Sequence, residues 1–258
     1  MIDNERYTQI LNILEKKKKV TVNGLVKTLY VSPATVRRDL CEMAKRGLIK
    51  RVHGGAISYA STSQESSIII RENANKQEKQ MICSKALSFI KNSQSIFLDS
   101  SSTVSNLVDY LNERKFLTII TTGLTSASLL SSKTPFTIFI PGGFIHSQTN
   151  SIQGTSTLET IKNLHTDLFI FSCSGLSLRG EVTESNLEQS EVKKTMARNS
   201  SFKILLVDSS KIGKTYLSSS VALEDIDVVI TDKKVDDKLK EIIVDNNVQL
   251  IECEKKND

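Results

Sequence analysis

The feature that most constrains this chain is a basic helix expected to begin at Ser32. The Ser32 hydroxyl is a good N-cap because it can accept a hydrogen bond from a free backbone N–H, and Pro33 follows where its missing donor costs nothing. Apolar residues recur at helical spacing and form one stripe, made of Val36, Leu40 and Met43. The opposite face has a small side chain at its start and cationic side chains further on. It carries Ala34, Arg38, Cys41 and Lys45, and its flanks carry Thr35 and Arg37. Such a face can lie in a DNA major groove, although a solvated amphipathic helix has the same pattern.

The residues on either side complete a helix-turn-helix pattern. Residues 6–19 predict a helix, residues 20–22 break it, and residues 23–29 predict a short second helix before the Ser32 helix. Two short helices joined by a tight turn, with the second capped and basic, are typical of a helix-turn-helix. Residues 48–56 then predict a strand, a turn and a second strand that runs back beside the first. Together they form a basic β-wing that can contact DNA phosphates.

The distribution of charge separates a basic front from a near-neutral remainder. The chain has 258 residues, which suits two modest domains. Residues 1–57 hold 12 of the 34 Lys and Arg residues but only 5 of the 29 Asp and Glu residues, a net charge of +7 against −2 for the remainder. This division favours a polyanion-binding domain joined to a neutral one. The four lysines at 16–19 either contact phosphates or lie at the exposed end of a helix.

The sequence argues against several classes of protein. No apolar run approaches the roughly 20 residues of a membrane span, and no apolar signal core is present near residue 1. The cysteines are scattered without a CxxC pair, so we expect neither a disulfide framework nor a zinc site from Cys41, Cys83, Cys173 and Cys253. We expect a cytoplasmic protein that uses no metal or cofactor and does not contact a membrane.

Composition also suggests where the domains divide. We expect a DNA-binding domain in residues 1–57, a serine-rich linker in residues 58–75 and an α/β domain in residues 76–258. After a helix within 68–91, the predicted strands are 95–99, 117–122, 136–140, 167–173, 202–208, 228–231 and 249–252. The predicted helices are 103–113, 124–131, 157–164, 185–199 and 236–246. Near-continuous apolar strands that alternate with helices favour a mostly parallel, Rossmann-like sheet covered on both faces.

Polar turns follow five of these strands, and the carboxyl ends of parallel strands share one edge of a sheet. Asp99–Thr103 enters a helix, where hydroxyls and free N–H groups can seat an anion. The other turns are Thr121–Gly123, Pro141–Gly143, Ser174–Gly175 and Asp208–Lys211. Each alone is an ordinary turn, but five at one edge predict a polar pocket suited to a phosphorylated polyol.

Two ordered sets of motifs resemble a known family. The pattern VSPATVRRDL … GLIKRVHGGA resembles the winged helix-turn-helix of the DeoR family of bacterial transcriptional regulators. The motifs IFLDSSST, TIITTGL, IPGG, GEVTESNLEQSEVKKTM and LLVDSSKIG resemble that family's C-terminal sensor domain, which is similar in fold to ribose-5-phosphate isomerase. The resemblance implies a regulator, most often a repressor, that binds a double-stranded DNA operator as a homo-oligomer (dimer or tetramer) and senses a phosphorylated sugar.

The resemblance also implies which residues contact each partner. Base reading falls to Ala34, Thr35 and Arg38 and backbone contact to Arg37, Lys50 and Arg51, with Ser32 and His53 beside them. The alternative for His53 is that it caps the turn of the wing. The expected effector contacts are Asp99, Ser101, Ser102, Thr103, Thr122, Gly142, Gly143, Gly175, Glu191, Lys193 and Lys211. No residue is expected to be catalytic.

The sensor motifs depart from the family pattern at three positions. Ser101 stands where the family has glycine, Ser102 where it has threonine, and Thr122 where it has asparagine. Ser102 keeps a hydroxyl, but Ser101 adds a side chain where the backbone approaches a ligand. Thr122 removes an amide, which is both a donor and an acceptor for sugar hydroxyls.

The predicted helix 185–199 carries further expectations. Ser185 and Glu188 have the spacing of a capping box, so we expect Glu188 to be structural. Glu191 and Lys193 match the family's Glu-x-Lys and are expected in the pocket, although the alternative is a surface pair on different helix faces. The two histidines outside the wing, His146 and His165, are expected on the surface or in loops.

Three functions remain open on the sequence. The first is a transcriptional regulator of a carbohydrate operon, for which the resemblance suggests tagatose or fructose phosphates as effectors. The second is a sugar-phosphate isomerase with a DNA-binding appendage, using Asp99, Glu191 and Lys193 as acid–base groups. The third is a regulator that acts by oligomerisation without a ligand. The sequence shows no nucleophile–base pair or metal cluster, which favours a protein that is not an enzyme.

Overall fold

The chain is divided into two compact units in the computed structural model, which describes residues 2–45, 48–57 and 68–253. Residues 1–74 form one unit, called the head below, and residues 75–258 form the other, called the sensor. Each unit has its own apolar core, and they are described separately.

The head combines helices with a three-stranded antiparallel sheet. Its elements are α1 (Ile2–Lys17), β1 (Lys19–Thr21), α2 (Val22–Leu29), α3 (Pro33–Lys45), β2 (Lys50–Val52), β3 (Gly55–Ile57) and α4 (Ile68–Asn73). The predicted helix-turn-helix is formed by α2 and α3, and the wing by β2 and β3. The sequence predicted only a break after the first helix, but Lys18 turns the chain at φ +60° and β1 then pairs with β3.

One apolar cluster holds the head together. The stripe predicted on α3 faces inward, because Val36, Leu40 and Met43 are each at most 1% exposed. Their partners come from the first two helices and include Tyr7, Ile10, Leu11, Leu14 and Leu25. Removing these side chains from water is the main source of stability for the unit, and it directs the opposite, basic face of α3 outward.

The predicted linker is only partly a connecting segment. Residues 58–67 lie outside the described residues, but Ile68–Asn73 form α4. Ile70 belongs to the apolar cluster of the head, and α4 packs against α1. The head therefore extends to residue 74, because burying isoleucine side chains against α1 is more favourable than leaving them in water.

A seven-stranded parallel sheet forms the centre of the sensor. The strands of the sensor are β4 (Ser95–Leu98), β5 (Thr118–Thr121), β6 (Thr137–Phe139), β7 (Phe144–His146), β8 (Ser151–Gln153), β9 (Thr166–Phe171), β10 (Gly175–Leu176), β11 (Val182–Glu184), β12 (Ser200–Leu206), β13 (Ser218–Ser219), β14 (Val228–Thr231) and β15 (Gln249–Glu252). The central sheet has the order β15-β14-β12-β9-β4-β5-β6, and every neighbouring pair is parallel. The predicted α/β class and all seven predicted strands are confirmed.

Helices cover both faces of this sheet. They are α5 (Lys76–Ala86), α6 (Ser102–Ser105), α7 (Leu124–Lys133), α8 (Thr155–Lys162), α9 (Leu187–Arg198) and α10 (Asp237–Asp245). Successive strand residues enter opposite cores, as Phe97 does on one face and Leu98 on the other. The predicted helix 103–113 is split, because α6 is only four residues long and continues as a 3-10 helix. No helix in the described part of the chain is both long and apolar enough to cross a bilayer.

Short antiparallel strands, which the sequence did not predict, complete the sensor. β7 and β8 form a hairpin, and β10, β11 and β13 form a small separate sheet. Each is only two or three residues long, too short for an alternating pattern to be recognised.

The order of the strands creates a switch point in the central sheet. The chain runs outward from β4 through β5 to β6, then returns to the other side of β4 and runs outward from β9 to β15. The carboxyl ends of β4 and β9 are therefore neighbours from which the chain leaves in opposite directions. In open α/β sheets this is where ligands bind.

Candidate functional site

The basic helix of the head begins with a double serine–threonine cap. The Ser32 hydroxyl accepts a hydrogen bond from the Thr35 backbone N–H at 3.1 Å, and its oxygen lies 2.9 Å from Thr35 Oγ1. The predicted N-cap is therefore present. The contact between the two hydroxyls also restricts rotation of the Thr35 side chain.

The outer face of α3 is open. Ala34, Arg37 and Arg38 are exposed, and within the described residues the two guanidinium groups have no hydrogen bond or ion pair. This arrangement suits recognition of the DNA major groove. The small side chain of Ala34 lets the helix backbone come close to the DNA, and the arginine side chains can then reach the edges of the bases.

A buried ion pair ties this helix to α1. Asp39 lies on the inner side of α3 and is 1% exposed. It accepts hydrogen bonds from Arg6, one of which joins Nη2 to Oδ1 at 3.0 Å. The pair is bidentate, because Arg6 Nε donates to the other carboxylate oxygen. A bidentate pair restricts rotation of α3 about its own axis and so sets the direction in which Arg38 points.

The wing presents the other predicted DNA-binding side chains. Lys50, Arg51 and His53 are all exposed on the β2–β3 hairpin. The turn between the strands includes Gly54 at φ +76°, a conformation that favours glycine. Gly55 is needed for packing, because a Cβ there would lie 2.0 Å from the Val20 carbonyl oxygen of the adjoining strand.

In the sensor, the turn from Asp99 to Thr103 lies at the switch point. Asp99 Oδ1 accepts from the Ser101 backbone N–H at 3.0 Å, and Oδ2 accepts from the Ser172 N–H at 3.1 Å, which joins the ends of β4 and β9. Ser101 is the N-cap of α6, because its hydroxyl accepts from the Val104 N–H at 3.1 Å. Asp99 and Ser101 thus first serve to shape the turn itself.

Lys193 is buried beside this turn with two carboxylates. Its Nζ lies 3.1 Å from Asp99 Oδ2, pairs with Glu184 and donates to the Ser172 carbonyl oxygen at 2.7 Å. Burial by itself would lower the pKa of Lys193, but the carboxylates of Glu184 and Asp99 outweigh it and raise the pKa above its usual range. The lysine is therefore charged and fully engaged by protein groups.

Two further ammonium groups meet the hydroxyls of the turn. Lys79 Nζ donates to Ser102 Oγ at 3.0 Å, and Lys211 Nζ donates to Ser172 Oγ at 2.9 Å and lies 3.4 Å from Thr103 Oγ1. Lys79 is buried, whereas Lys211 is partly exposed. The sequence analysis identified Lys211 but missed Lys79, because Lys79 lies in α5 and not at the end of any strand.

One carboxylate, that of Asp208, lies beside these lysines. Oδ1 accepts from the Asn75 side chain at 3.2 Å, and Oδ2 has no hydrogen-bond partner among the described residues. Burial would raise the pKa of Asp208, but Lys211 and the Ser210 hydroxyl lower it below its usual value. Asp208 is therefore ionised at neutral pH, and its negative charge offsets part of the positive charge of Lys79 and Lys211.

A narrow cleft lies beside the turn. It has room for about one water molecule. Its polar lining includes Asp99, Ser100, Thr122, Ser151, Gln153, Gln189 and Lys193. Of the predicted effector residues, the structure brings together Asp99, Ser101, Ser102, Thr103, Thr122, Lys193 and Lys211 around this turn.

The three predicted glycines approach the protein's own chain instead. Gly143 has φ +151°, and a Cβ there would lie 2.2 Å from Thr157 Oγ1. A Cβ at Gly175 would lie 2.5 Å from the Lys214 carbonyl oxygen. Gly142 is exposed, and its carbonyl accepts from the Thr157 hydroxyl at 2.7 Å. None of the three lines the cleft beside Lys193.

Two expectations about α9 need correction. Glu191 lies on the exposed face and forms a surface ion pair with Lys194 at 2.9 Å, so it is not beside Lys193 at the turn. Residues two positions apart on a helix point in directions about 200° apart, so Glu191 and Lys193 lie on different faces of α9. The helix is capped by Asn186, whose Oδ1 accepts from the Gln189 N–H at 2.9 Å, and not by a Ser185–Glu188 capping box.

Comparison with known proteins agrees with both halves of this description. The model of the DeoR-like helix-turn-helix domain matches residues 6–62, and the model of the DeoR C terminal sensor domain matches residues 74–233. The chain is similar to the glycerol-3-phosphate regulon repressor of Escherichia coli, with 30% identity over 98% of this chain and 100% of that protein. It is also similar to the lactose phosphotransferase system repressor of Streptococcus mutans, with 32% identity over 94% of this chain and 97% of that protein.

A solved structure gives a more distant likeness. Ribose 5-phosphate isomerase A from Methanocaldococcus jannaschii aligns with 54% of this chain and 55% of its own, at 15% identity and a TM-score of 0.39. This likeness is too distant to indicate a shared activity. The family models together cover most of the chain, from the basic helix to the turn that carries Lys211. The protein therefore belongs to the DeoR family of DNA-binding transcriptional regulators.

Proposed function

We propose that this protein is a repressor of a carbohydrate catabolic operon, and that a phosphorylated sugar bound by the sensor changes its affinity for the operator. The similarity to repressors of glycerol-3-phosphate and lactose genes supports a phosphorylated, hydroxyl-rich effector. A regulator that acts on chromosomal DNA in this way works in the cytoplasm. The effector would act by preferring one arrangement of the DNA-binding heads over another.

One observation carries the effector assignment. At the switch point of the sheet, Lys79 and Lys211 donate to a row of hydroxyls on Ser102, Thr103 and Ser172. A phosphate group needs ammonium and hydroxyl donors, and here both kinds of donor converge on one turn. Lys211 is partly exposed, so a ligand can reach it from solvent.

The test is a thermal-shift screen of the full chain against sugar phosphates. The panel contains glucose 6-phosphate, fructose 1-phosphate, fructose 6-phosphate, tagatose 6-phosphate, ribose 5-phosphate and glycerol 3-phosphate. We expect at least one compound to raise the melting temperature by several degrees, because a ligand that binds only the folded state stabilises it in proportion to the logarithm of its concentration.

The matched variants are Lys211→Met and Lys214→Met. Lys214 is exposed and three residues away, so it controls for loss of a nearby positive charge. Lys211→Met should abolish the shift, and Lys214→Met should keep it. A wild-type protein that no compound stabilises would instead support the ligand-independent regulator.

An enzymatic role for the same residues is less well supported. The isomerase hypothesis needs a free acid–base pair, but Asp99 already accepts two backbone hydrogen bonds and pairs with Lys193. Lys193 is held charged by two carboxylates, and Glu191 lies on the surface. We therefore propose that the sensor binds its ligand without converting it. Known relatives of the chain that act as transcriptional repressors agree with this proposal.

We also infer that a second copy of the chain covers one edge of the sensor. The edge strand β6, the residue after it and β7, the next strand along the chain, carry four large apolar side chains that are 42–60% exposed, Phe139, Ile140, Phe144 and Ile145. The sequence from Thr134 to Leu158 contains no Asp, Glu, Lys or Arg, although 24% of the whole chain is charged. Exposed edge strands are normally protected by charge, and interface cores are depleted in it.

A second copy is the partner that suits a neutral patch. Across a two-fold axis each residue near the axis faces its own counterpart, so a charged patch would repel itself and a neutral one does not. A helix-turn-helix also reads two half-sites as a dimer, which requires paired heads.

The oligomeric state of the protein tests whether this surface is an interface between two copies of the chain. We expect the wild type to sediment as a dimer or larger, and Ile145→Glu to sediment as a smaller species because two buried carboxylates would face each other. Val244→Glu is the control, since Val244 is an equally exposed apolar residue on α10. A monomeric wild type, or an Ile145→Glu variant of unchanged size, would contradict the assignment.

A further inference from the structure

Two glutamine side chains meet in the cleft beside the Asp99–Thr103 turn. Gln153 comes from the end of β8 and Gln189 from the first turn of α9, and both are almost fully buried. Neither follows a strand of the central sheet, so no sequence pattern predicted that they lie together. They bring two amide groups to the cleft that Thr122 also lines.

Gln153 has an unused acceptor in this cleft. Its Nε2 donates to Ser151 Oγ at 3.0 Å, but its Oε1 is buried and has no hydrogen-bond partner among the described residues. The side chain is 1% exposed. A buried carbonyl without a partner is unfavourable, and native proteins rarely keep one unless something donates to it.

Gln189 offers a loosely held donor to the same space. Its Nε2 lies 3.5 Å from Ser100 Oγ and 3.4 Å from Ser151 Oγ, both at the long limit for a hydrogen bond. The backbone of Gln189 is fixed by the Asn186 cap. The amide is therefore positioned by the helix but weakly engaged by its neighbours.

Both amides lie at one cleft, because each Nε2 approaches Ser151 Oγ. An unused acceptor and a weakly engaged donor in the same cleft match a hydroxyl group. A hydroxyl can donate to Gln153 and accept from Gln189 at the same time. The turn joins this cleft to the lysine cluster, because Ser100 lines the cleft and Ser102 contacts Lys79 two residues later. A phosphorylated polyol has both groups, a phosphate for the lysines and hydroxyls for the amides.

We propose that Gln153 and Gln189 are the specificity-determining residues of the sensor, and that they recognise a hydroxyl of the effector while the lysines hold its phosphate. This inference rests on the proposed function. It also assigns a role to the departure at position 122, because amides from β8 and α9 supply the donor and acceptor that Thr122 lacks.

The test compares sugar phosphates with inorganic phosphate in the full chain. We take the panel compound that stabilises the wild type most and measure its Kd and that of inorganic phosphate for wild type, Gln153→Leu and Gln189→Leu. We expect each variant to bind the sugar phosphate at least tenfold more weakly and inorganic phosphate within twofold of wild type. Gln249→Leu, an exposed glutamine on β15, should leave both constants unchanged.

A second measurement needs only the wild-type protein. Glucose 6-phosphate is compared with its 2-deoxy analogue and with 1,5-anhydroglucitol 6-phosphate, and ribose 5-phosphate is compared with its 2-deoxy analogue and with 1,4-anhydroribitol 5-phosphate. A site built to bind a hydroxyl rejects an analogue that lacks it, since its amide groups then stay unpaired. For whichever parent binds, we expect one of its analogues to bind at least tenfold more weakly.

The possible failures can be told apart. If no sugar phosphate binds the wild type, the proposed function fails and this inference with it. If sugar phosphates bind but both glutamine variants retain wild-type affinity, only the inference is overturned. A variant that loses sugar phosphate and inorganic phosphate equally has lost the pocket as a whole, which also overturns a role in specificity.

Discussion

Arg38→Ala is expected to weaken binding of the operator by about 1–3 kcal/mol, roughly 5- to 150-fold, while binding of unrelated DNA changes little. The guanidinium is exposed on the outer face of α3 and, among the described residues, is not engaged by any protein group. Its loss therefore removes a base contact without disturbing the head. Fluorescence anisotropy with an operator duplex and a scrambled duplex, at one fixed salt concentration, measures the effect.

Neighbouring charges supply the controls. Arg37→Ala should weaken binding of both duplexes alike. When the titrations are repeated over a series of salt concentrations, it should also reduce the slope of log affinity against log salt by about 1, as expected for a phosphate contact. Lys238→Ala removes an exposed charge from α10 of the sensor, and it should change neither the affinity for the two duplexes nor its dependence on salt. If Arg38→Ala weakened both duplexes by the same factor, Arg38 would be a backbone contact and not a base reader.

Lys193→Met is expected to destabilise the sensor by about 3–5 kcal/mol. The ammonium pairs with both Asp99 and Glu184, and all three groups are at least 95% buried by side-chain area. Without it, two carboxylates remain close together in a site that is almost fully buried. Urea unfolding of the sensor, followed by circular dichroism, measures the loss.

The adjacent lysine is a matched control. Lys194→Met removes only a surface pair with Glu191 and should change stability by less than about 0.5 kcal/mol. If Lys193→Met were equally mild, the carboxylates would have to be neutralised in another way, and the ion cluster would not hold the ends of β4 and β9 together.

The same ion cluster predicts how stability depends on pH. Burial lowers the pKa of Lys193, but Glu184 and Asp99 raise it by more, so its pKa is higher in the folded than in the unfolded chain. Its contribution is therefore fully present below the unfolded value, about 10.4, and is lost as pH rises through the higher folded value. The free energy of unfolding of the wild type should therefore keep this contribution from about pH 6 to pH 9 and lose it progressively above about pH 10, which urea unfolding at a series of pH values measures.

The parts of the fold that were predictable are those that short stretches of sequence determine. Ser32 and Pro33 specify the start of α3, and the spacing of Val36 and Leu40 specifies its buried face. The central strands were equally predictable because each is a near-continuous apolar run. In both cases the energy that selects the structure comes from residues within a few positions of one another.

The parts that were missed depend on distant segments. Lys79, Gln153 and Gln189 approach the Asp99–Thr103 turn only after the sheet has formed, and no local pattern marks them. The helix near residue 190 was predicted, but the capping residue was misplaced by one position, from Asn186 to Ser185. Glu191 was placed in the pocket from a motif, whereas helix geometry directs it to solvent.

The helix α4 determines how much of the sequence a transferable DNA-binding domain must include. A fragment that ended at residue 57, where composition alone would divide the chain, would lack Ile68 and Ile70, which are buried in the full protein. The helix α4 packs on α1, and the Arg6–Asp39 pair joins α1 to α3. A force applied at residue 74 can therefore be transmitted through α4 and α1 to α3, the recognition helix. Transplanting this DNA-binding module onto another regulator therefore requires the sequence through Asn73.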